Sequence, residues 1–522
     1  MLVVWSRLAS VAVDWPTSRR SRRSPPRRSR LIGKDFGRTN CDGHAMICRQ
    51  LSVFALIAAF AMPAELRGQQ KLDELPEPER TALVQRLRRL DIDHTDWTLM
   101  LDVGEKVEAL GAKAIPVVVA EIATAADQGD PRYAIRLMGV LSRIDPPQGV
   151  TKLEGVIASA DASAALAARI LGRSAPAANV AAVVVARLPA ESRSAVASSL
   201  ALAAGDAGAT GTARLLREMI ESGKVPRQSS QWFALALAQV ADKDMQAEAP
   251  GWLRTGSTLA ATGLLLVRRT RDVKAEQALL ELLPQVTDEG TLAWFAQTLG
   301  AIGGDASRAA LRSALAAKLE KEKQEVAQEG AVAIGSTTLE PMRLALVRLG
   351  DPESVKWAMA QVASHGSGSV GAGNDRVTFD LMGPEIAQIP ELLGKWNVAG
   401  ALEALLASST DASTPVWMRA YAARGLCWRR DVRGLSAAAA ILAIPNDQAR
   451  DPFVAKGLEV AQQTLHEFVA DVDRPDYMPI DEQAAAPASG VGALWQQWLT
   501  KHASKIKWRE PPQDCNDMIL WY

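Results

Sequence analysis

Apolar residues recur along the chain in units of about 30 residues, each with two apolar faces separated by a break. In each unit a polar start precedes apolar residues at positions i, i+3, i+4 and i+7, then Gly, Pro or Asp, then a second such series. This spacing places the apolar residues on one side of a helix, so each unit predicts a helical hairpin. Consecutive units separated by 31, 30, 36, 30 and 31 residues begin at Asp130, Asp161, Glu191, Arg227, Ser257 and Asp288.

Residues 343–362, RLALVRLGDPESVKWAMAQV, contain both faces of such a unit with a very short break. Gly350 suits the left-handed backbone that ends many helices, Asp351 is a favoured N-cap, and Pro352 has no N–H to lose in a first turn. The segment therefore predicts one helix that ends near Gly350 and a second that begins at Pro352. Further units are predicted at 107–125, 389–408 and 416–442.

A regular series of helical hairpins indicates an all-α array in which each unit contacts mainly its neighbours. The composition agrees, since 48% of the residues are apolar and only 5% are aromatic. Clusters of β-branched residues, which are typical of strands, are scarce. A repeat array also explains how 522 residues can form one array rather than the roughly three domains that chain length alone suggests.

The segment Leu349-Gly350-Asp351-Pro352-Glu353-Ser354-Val355 resembles the turn between the two helices of HEAT repeats, in particular the short bacterial variety of phycobilisome-lyase type. The other units share the period and the apolar pattern of that family. The resemblance covers residues 79–470, with insertions near 316–340 and 363–384. It implies a right-handed α-solenoid of about ten HEAT-like helical hairpins.

The C-terminal segment 471–522 departs from the repeat and is rich in tryptophan. In LWQQWLTKHASKIKW, Trp495 and Trp498 share one helical face with Leu499, and Trp508 follows. This spacing predicts a Trp-rich cap that covers the apolar end of the array. The segment is also similar to the W-x-x-W…W closing segment of secreted HEAT-type proteins from environmental bacteria such as planctomycetes. The alternative is a carbohydrate or partner site built from the tryptophans.

The N-terminal 68 residues carry signals that concern export rather than folding. Residues 1–45 include SRRSRRSPPRRSR, a basic segment rich in Ser and Pro that predicts disorder. Such a segment is either a nucleic-acid-binding or targeting arm or an upstream extension, and the residues that follow favour an extension, with translation starting at Met46. Residues 46–68 combine Arg49, an apolar run over 51–62 and a polar end, which is the layout of a secretory signal peptide. The run is shorter than the ~20 residues needed to span a membrane. We expect an exported protein with no membrane span after signal cleavage.

The distribution of charge argues against nucleic acid as a partner. The chain holds 59 basic and 59 acidic residues, and its first 45 positions contain ten basic and three acidic ones. The remainder therefore carries a net charge of −7 and lacks the basic surface that binding to phosphates requires. We expect a protein partner and no nucleic acid.

Gly366, Gly368 and Gly371 form a G-x-G-x-x-G pattern. Dinucleotide binding requires that this motif follow a strand and open a helix. Here the motif follows a predicted helix, and its surroundings predict a flexible linker without a strand.

The sequence DIDHTDW, residues 91–97, groups carboxylates with a histidine, as a site for a divalent metal would. No further ligand lies nearby in the sequence to complete such a site. The simpler prediction is a turn between two helices that is capped by Asp91, Asp93 or Thr95.

The remaining reactive residue types are dispersed. Cys427 lies in a predicted helix, where a small buried residue is the simplest interpretation, and a disulfide with Cys515 is an alternative in an exported protein. No H-E-x-x-H, C-x-x-C-H, G-x-S-x-G or P-loop pattern occurs. The sequence predicts no catalytic residue, no metal site and no cofactor.

These features together favour a non-catalytic scaffold, exported to the periplasm or another extracytoplasmic space. It would bind a protein partner along the surface formed by the second helices of successive units. Two alternatives come from other classes. One is a lyase-like or chromophore-handling protein, which the resemblance to phycobilisome-lyase-type repeats implies. The other is a carbohydrate or small-ligand binding module that uses Trp495, Trp498 and Trp508.

Overall fold

The computed structural model describes residues 75–92, 96–160, 162–254, 257–329, 339–363, 368–370, 377–379, 388–444, 451–478 and 490–511. The predicted disordered extension, the signal peptide and Cys515 lie outside these residues. The described chain is almost entirely helical. Its helices, numbered in chain order, are α1 (Glu77–Arg88), α2 (Trp97–Leu110), α3 (Ile115–Asp127), α4 (Pro131–Ile144), α5 (Pro146–Ala158), α6 (Ala164–Ser174), α7 (Ala177–Arg187), α8 (Ser194–Asp206), α9 (Ala213–Glu221), α10 (Ser230–Val240), α11 (Lys243–Trp252), α12 (Ala260–Thr270), α13 (Glu276–Leu282), α14 (Glu289–Ile302), α15 (Asp305–Glu329), α16 (Leu339–Arg348), α17 (Pro352–Ala363), α18 (Ile389–Lys395), α19 (Ala401–Thr410), α20 (Val416–Trp428), α21 (Val432–Ile441), α22 (Pro452–Phe468) and α23 (Gly490–His502).

The helical hairpins predicted from the apolar pattern are present with the expected period. The first helices of the units predicted from Asp130 onward are α4, α6, α8, α10, α12 and α14. Each begins within three residues of its predicted start, at Pro131, Ala164, Ser194, Ser230, Ala260 and Glu289. The all-helical prediction is therefore confirmed for this part of the chain.

The helices form two rows, one of even-numbered and one of odd-numbered helices, and the chain passes from one row to the other at each turn. From α2 to α16 each even-numbered helix contacts the next even-numbered one. Leu344 and Val347 of α16 pack in one cluster with Ile389 and Leu392 of α18, and α18, α20 and α22 continue the series. Because α22 also contacts α2, the even-numbered row returns to the helix with which it began.

The two rows differ in how much of each helix is buried. In α4 every residue from Tyr133 to Ser142 is buried, as expected for a helix that is apolar or small on all sides. The odd-numbered helix α9 buries only Ala213, Leu216 and Met219, which lie on one face at helical spacing. The even-numbered helices thus form the interior, and the odd-numbered helices present a polar side to solvent.

Small residues allow the even-numbered helices to approach each other closely. A Cβ atom added at Gly172 of α6 would overlap the backbone of Ala203 in α8. A Cβ atom at Gly394 of α18 would overlap the carbonyl oxygen of Gly425 in α20. Contacts between backbones leave no space for a larger side chain, so these positions require glycine.

Ion pairs between neighbouring units repeat the sequence period. Arg173 Nε of α6 lies 3.3 Å from Asp206 Oδ2 of α8, and Arg187 Nε of α7 lies 3.1 Å from Glu154 Oε1 of α5. In each pair the partners are 33 residues apart in the sequence. One unit is therefore tied to the next by polar contacts as well as by apolar packing.

The turn between α16 and α17 has the predicted geometry. Gly350 adopts a φ of +70°, where a residue with a side chain would be strained. Oδ2 of Asp351 accepts a hydrogen bond of 2.9 Å from the Ser354 backbone N–H, which otherwise has no partner in a first helical turn. Pro352 is the first residue of α17. The predicted roles of all three turn residues are confirmed.

One sequence prediction about the connecting segments is wrong. Gly368–Val370 and Val377–Phe379 form a short antiparallel hairpin, β1 and β2, in which Gly368 is opposite Phe379. No strand was expected there, because alternation over three residues is too short to recognise among glycines and serines. The hairpin does not create the strand–loop–helix context of a dinucleotide site, since Gly368 opens β1 instead of following a strand. The first part of the insertion predicted near 316–340 lies within the continuous helix α15.

One helical stretch in the described residues, Trp97–Asp127, is long and apolar enough to cross a membrane, with a mean hydropathy of 1.6. The stretch is not one helix, because Gly111, at a φ of +61°, separates α2 from α3. It also carries Asp102 and Lys106, both buried in ion pairs. These features are typical of a core hairpin in a folded domain.

Gly394→Ala should destabilise the protein, because the added Cβ atom collides with the backbone of α20. Overpacking of this kind costs about 1–3 kcal/mol. We expect a lower midpoint of urea unfolding, followed by tryptophan fluorescence.

Gly251→Ala in α11 is the matched control, since a Cβ atom there meets nothing within 4 Å. Alanine favours a helix over glycine by about 1 kcal/mol, so this variant should be as stable as wild type or slightly more so. If both variants unfold at the wild-type midpoint, α18 and α20 are not in close backbone contact.

Candidate functional site at the junction of the chain ends

The chain that follows α22 lies across the first helices of the array. Val469 pairs with Trp508 in an isolated antiparallel bridge, and the Arg509 backbone N–H donates to the Phe468 carbonyl at 3.0 Å. These contacts hold two C-terminal segments side by side against α1 and α2. The charged residues at this place, which we call the junction cluster, are Asp102, Glu105, Lys106, His466, Arg474, Asp476 and Arg509.

Asp102 of α2 lies at the centre of the junction cluster, with only 1% of its surface exposed. Its Oδ1 accepts from Arg474 Nη2 at 3.1 Å, and its Oδ2 accepts from the Tyr477 backbone N–H at 2.9 Å. Lys106, one helical turn further along α2, donates to Oδ2 at 3.3 Å. A buried carboxylate is stable only when its oxygens are satisfied in this way.

The charge of Asp102 is held by its surroundings. Burial alone would raise the pKa of this carboxyl group, but the hydrogen bond of His466 and the charges of Lys106 and Arg474 lower it. The result is a pKa well below the usual value for aspartate. Asp102 is therefore ionised at neutral pH.

Glu105 is the second carboxylate of α2 in the junction cluster. Arg474 Nη2 lies 2.7 Å from Glu105 Oε2, and Arg509 pairs with the other carboxylate oxygen. Arg509 also donates through Nε to the Glu467 carbonyl at 2.9 Å. One carboxylate of α2 thus joins both C-terminal segments.

In the ion pairs of Asp476 the C-terminal segment supplies the acid and the N-terminal part of the chain supplies the bases, the opposite of the pairs made by Glu105. Asp476 pairs with Lys106 of α2. It also pairs with Arg89, the residue that follows α1, whose Nη1 atom lies 2.8 Å from Asp476 Oδ2. Arg86 Nη2 of α1 lies 3.3 Å from the same carboxylate. Burial would raise the pKa of Asp476, but these cations, Lys106 foremost, hold it below its usual value.

A second line of polar contacts crosses the even-numbered row at this point. Thr98 of α2 donates to Glu467 of α22 at 3.2 Å, and the other Glu467 oxygen pairs with Arg424 of α20 at 2.7 Å. Arg424 also pairs with Glu391 of α18 at 2.8 Å. The closing helices are thereby linked to α2 by side chains from four different helices.

His466 and Tyr477 are buried beside Asp102. The His466 Nδ1 atom is 3.4 Å from Asp102 Oδ1 and 3.4 Å from Arg474 Nε. Burial lowers the pKa of His466 and outweighs the opposing effect of Asp102, so its ring is neutral at pH 7. Tyr477 packs edge-on against His466 at 5.1 Å, and burial raises the pKa of its hydroxyl group.

The tryptophans predicted as a cap or a ligand site lie next to His466. Trp495 is fully buried and Trp498 is 7% exposed; the Trp495 ring is 5.1 Å from His466 and 5.6 Å from Trp498. Trp508 is partly buried against the apolar cluster that contains Trp495 and Trp498. Since neither Trp495 nor Trp498 offers an open ring face, a sugar could stack on them only if this segment moved.

The DIDHTDW segment caps a helix, but with a different residue from those predicted. Asp96 is the N-cap of α2 and accepts from the backbone N–H groups of Thr98 and Leu99 at 3.0 and 3.1 Å. Residues 93–95 lie outside the described chain. Within the described ranges, no group of three or more His, Cys, Asp or Glu side chains is arranged to hold a metal ion.

Cys427 is a buried free thiol in α20. Burial raises its pKa well above the usual value, so the thiol is protonated and a poor nucleophile at neutral pH. The prediction that it serves as a small core residue is consistent with this position.

The junction cluster was not predicted from the sequence. Its contacts between the N-terminal and C-terminal parts of the chain join residues 364 to 404 apart, and no local spacing links those two parts. Its acids and bases neutralise each other, which makes them poor candidates for proton transfer or for binding a ligand. The arrangement instead fixes the two ends of the helical array to each other.

No protein-family model matches the chain, and no curated protein matches it. The resemblance to HEAT repeats therefore rests on the sequence pattern alone. Function must be inferred from the residues themselves.

Arg474→Met should be strongly destabilising, because it leaves Asp102 and Glu105 facing each other without the guanidinium between them. Breaking a buried pair from one side costs about 3–5 kcal/mol. We expect a large fall in the urea midpoint together with faster amide hydrogen exchange in both α2 and α22.

Lys456→Met provides the control, since Lys456 makes an exposed pair with Glu459 at 3.0 Å. Such pairs contribute about 0–1 kcal/mol. Equal losses of stability in the Lys456→Met and Arg474→Met proteins would show that the junction cluster does not hold the chain ends together.

Stability should fall as the pH drops below about 6.5, the ordinary His pKa. Below that pH the unfolded chain binds a proton at residue 466, whereas the folded protein does not, because the pKa of His466 is lowered by folding. The contribution of neutral His466 to the free energy of unfolding is therefore fully present above about pH 6.5 and declines below it. The slope approaches about 1.4 kcal/mol per pH unit. Thermal unfolding of wild type between pH 7.5 and 5 measures it.

His466→Gln should remove most of this slope, because glutamine does not titrate. His502→Gln is the matched control, since His502 is 34% exposed and stacked on Trp498. A slope that persists in His466→Gln, or disappears in His502→Gln, would assign the pH dependence to another group.

Proposed function

We propose that the protein is a non-catalytic interaction scaffold, exported from the cytoplasm, that binds a protein partner along the surface of a HEAT-like α-solenoid. In this proposal the array is right-handed, and the segment with Trp495, Trp498 and Trp508 is its Trp-rich cap. Export is proposed from the signal-peptide pattern of residues 46–68.

The observation that carries the proposal is the exposed row of odd-numbered helices. From α5 to α13 each odd-numbered helix buries one stripe against the even-numbered row and turns its other side to solvent, as α9 does. A series of parallel helical faces is the kind of extended surface by which repeat arrays bind proteins. The surface belongs to the second helices of the units, as the sequence predicted for the partner-binding side.

The junction cluster supports the same proposal in a different way. A partner that contacts several helices at once gains affinity when those helices are already held in their final positions. Contacts between α22 and α2, with the ion pairs around Asp102, restrain both ends of the array. Little conformational freedom would then be lost on binding.

The outer side of α7 is the place to test first. Its exposed residues include Ala178, Ala182 and Val185, and Val185 is 48% exposed. An apolar stripe on the solvent side of a helix favours a protein partner over a charged ligand.

We expect a crosslinking pull-down with the tagged chain from Met46 to recover one reproducible partner. An Ala182→Glu/Val185→Glu variant should lose that partner, because two buried carboxylates would be desolvated at the interface. Intact-mass analysis of the recovered bait should give a mature N-terminus near Met62 or Gln69.

Val273→Glu is the matched control, because Val273 is 64% exposed and lies in a different unit, so its partner recovery should equal that of wild type. Undiminished recovery with the α7 variant would move the binding surface elsewhere. Failure to recover any reproducible partner would count against the scaffold, and an unprocessed bait associated with cytoplasmic proteins would count against export.

A further inference from the structure

Arg268, in the last turn of α12, is a buried guanidinium that lacks an acidic partner among the described residues. Only 2% of its surface is exposed. Its single hydrogen bond is donated by Nη1 to Gln297 Oε1 of α14, and its buried Nη2 group has no hydrogen-bond partner. Both the charge and the unpaired N–H groups of Nη2 are costly to bury in this state.

The charge of Arg348 makes the position of Arg268 less favourable, since it has the same sign. Arg348, the last residue of α16, repels Arg268; burial, and then this repulsion, lower the pKa of Arg268 to about 9. Arg268 therefore remains charged at pH 7. The two guanidinium groups come from α12 and α16, the helices on either side of α14 in the even-numbered row.

Arg424 shows how the same chain neutralises a buried guanidinium elsewhere, although its Nη1 group also lacks a hydrogen-bond partner. It lies between Glu391 and Glu467, at 2.8 and 2.7 Å, and its pKa is raised despite its burial. Arg268 has the neutral carboxamide of Gln297 where Arg424 has one carboxylate. Where Arg424 has a second carboxylate, Arg268 has no acceptor for Nη2.

The partial charge at the C-terminal end of α12 does not remove this difference between Arg268 and Arg424. The C-terminal end of α12 carries a partial negative charge that stabilises a nearby cation. Arg268 is two residues from that end. A helix dipole lowers the energy of the charge but supplies no acceptor for Nη2, which is still unpaired.

We propose that Arg268, with Gln297 beside it, forms a binding site for a small oxyanion, whose oxygen accepts from Nη2 and whose charge offsets the buried guanidinium group. Arginine suits this role because its N–H groups match the oxygen spacing of carboxylate and phosphate. The oxyanion could belong to free phosphate or to a carboxylate, and the experiment separates these sources. The site lies in the even-numbered row and does not depend on the partner surface of α7.

The test uses the full chain from Met46 and compares sodium phosphate, sodium acetate and sodium chloride at equal ionic strength. Phosphate or acetate should raise the Tm with concentration more than chloride does, and isothermal titration should give one site per chain. Whichever anion acts identifies the source. Arg268→Met should weaken binding on the order of tenfold or more, since a charge-assisted hydrogen bond is lost.

Arg217→Met is the control, because Arg217 is paired with Glu221 and Glu248 at the surface and should respond to anions as wild type does. Arg268→Lys keeps the charge but loses the Nη2 donor, so it tests the geometry if Arg268→Met does not fold. The proposal is overturned if wild type shows no saturable binding of either anion, or if wild type and the Arg268 variants respond equally.

Discussion

The carboxylate of Asp102 joins two parts of the chain that are 372 residues apart. It does so from a fully buried position, where an ionised acid is stable only with several donors in place. Arg474, Lys106 and the Tyr477 backbone N–H supply them. Because these donors come from both ends of the array, Asp102 couples folding of the first and last helices, together with Glu105 and Asp476 beside it.

The even-numbered row sets the second constraint. Its helices are buried on most sides, and backbones meet where α6 contacts α8 and where α18 contacts α20. Such packing leaves little room to adjust one helix without displacing the next. The odd-numbered helices are bound along one stripe only, so their outer sides are free to vary in sequence. The interior specifies the shape of the array, and the exterior is where recognition of a partner can be encoded.

The repeat was largely predictable from the sequence, because its determinants are local. Apolar residues at helical spacing located the units, and Gly350, Asp351 and Pro352 defined a turn by their own backbone preferences. The junction cluster was not predictable, since a single sequence contains no signal that pairs Asp102 with Arg474. The hairpin at Gly368 was missed because three-residue strands leave almost no pattern. The tryptophans were recognised as a group, but their burial against His466 depends on that same distant pairing.

Contact between α22 and α2 changes how such an array can come apart. A linear stack of repeats behaves as a one-dimensional chain with two free boundaries, and it frays from the boundary units, which have a neighbour on one side only. A stack whose boundaries are joined has no terminal unit of that kind. Unfolding any one helical hairpin then disrupts its interfaces with two neighbours rather than one. Partial unfolding is therefore suppressed throughout the array, which gains the cooperativity of a much more compact protein.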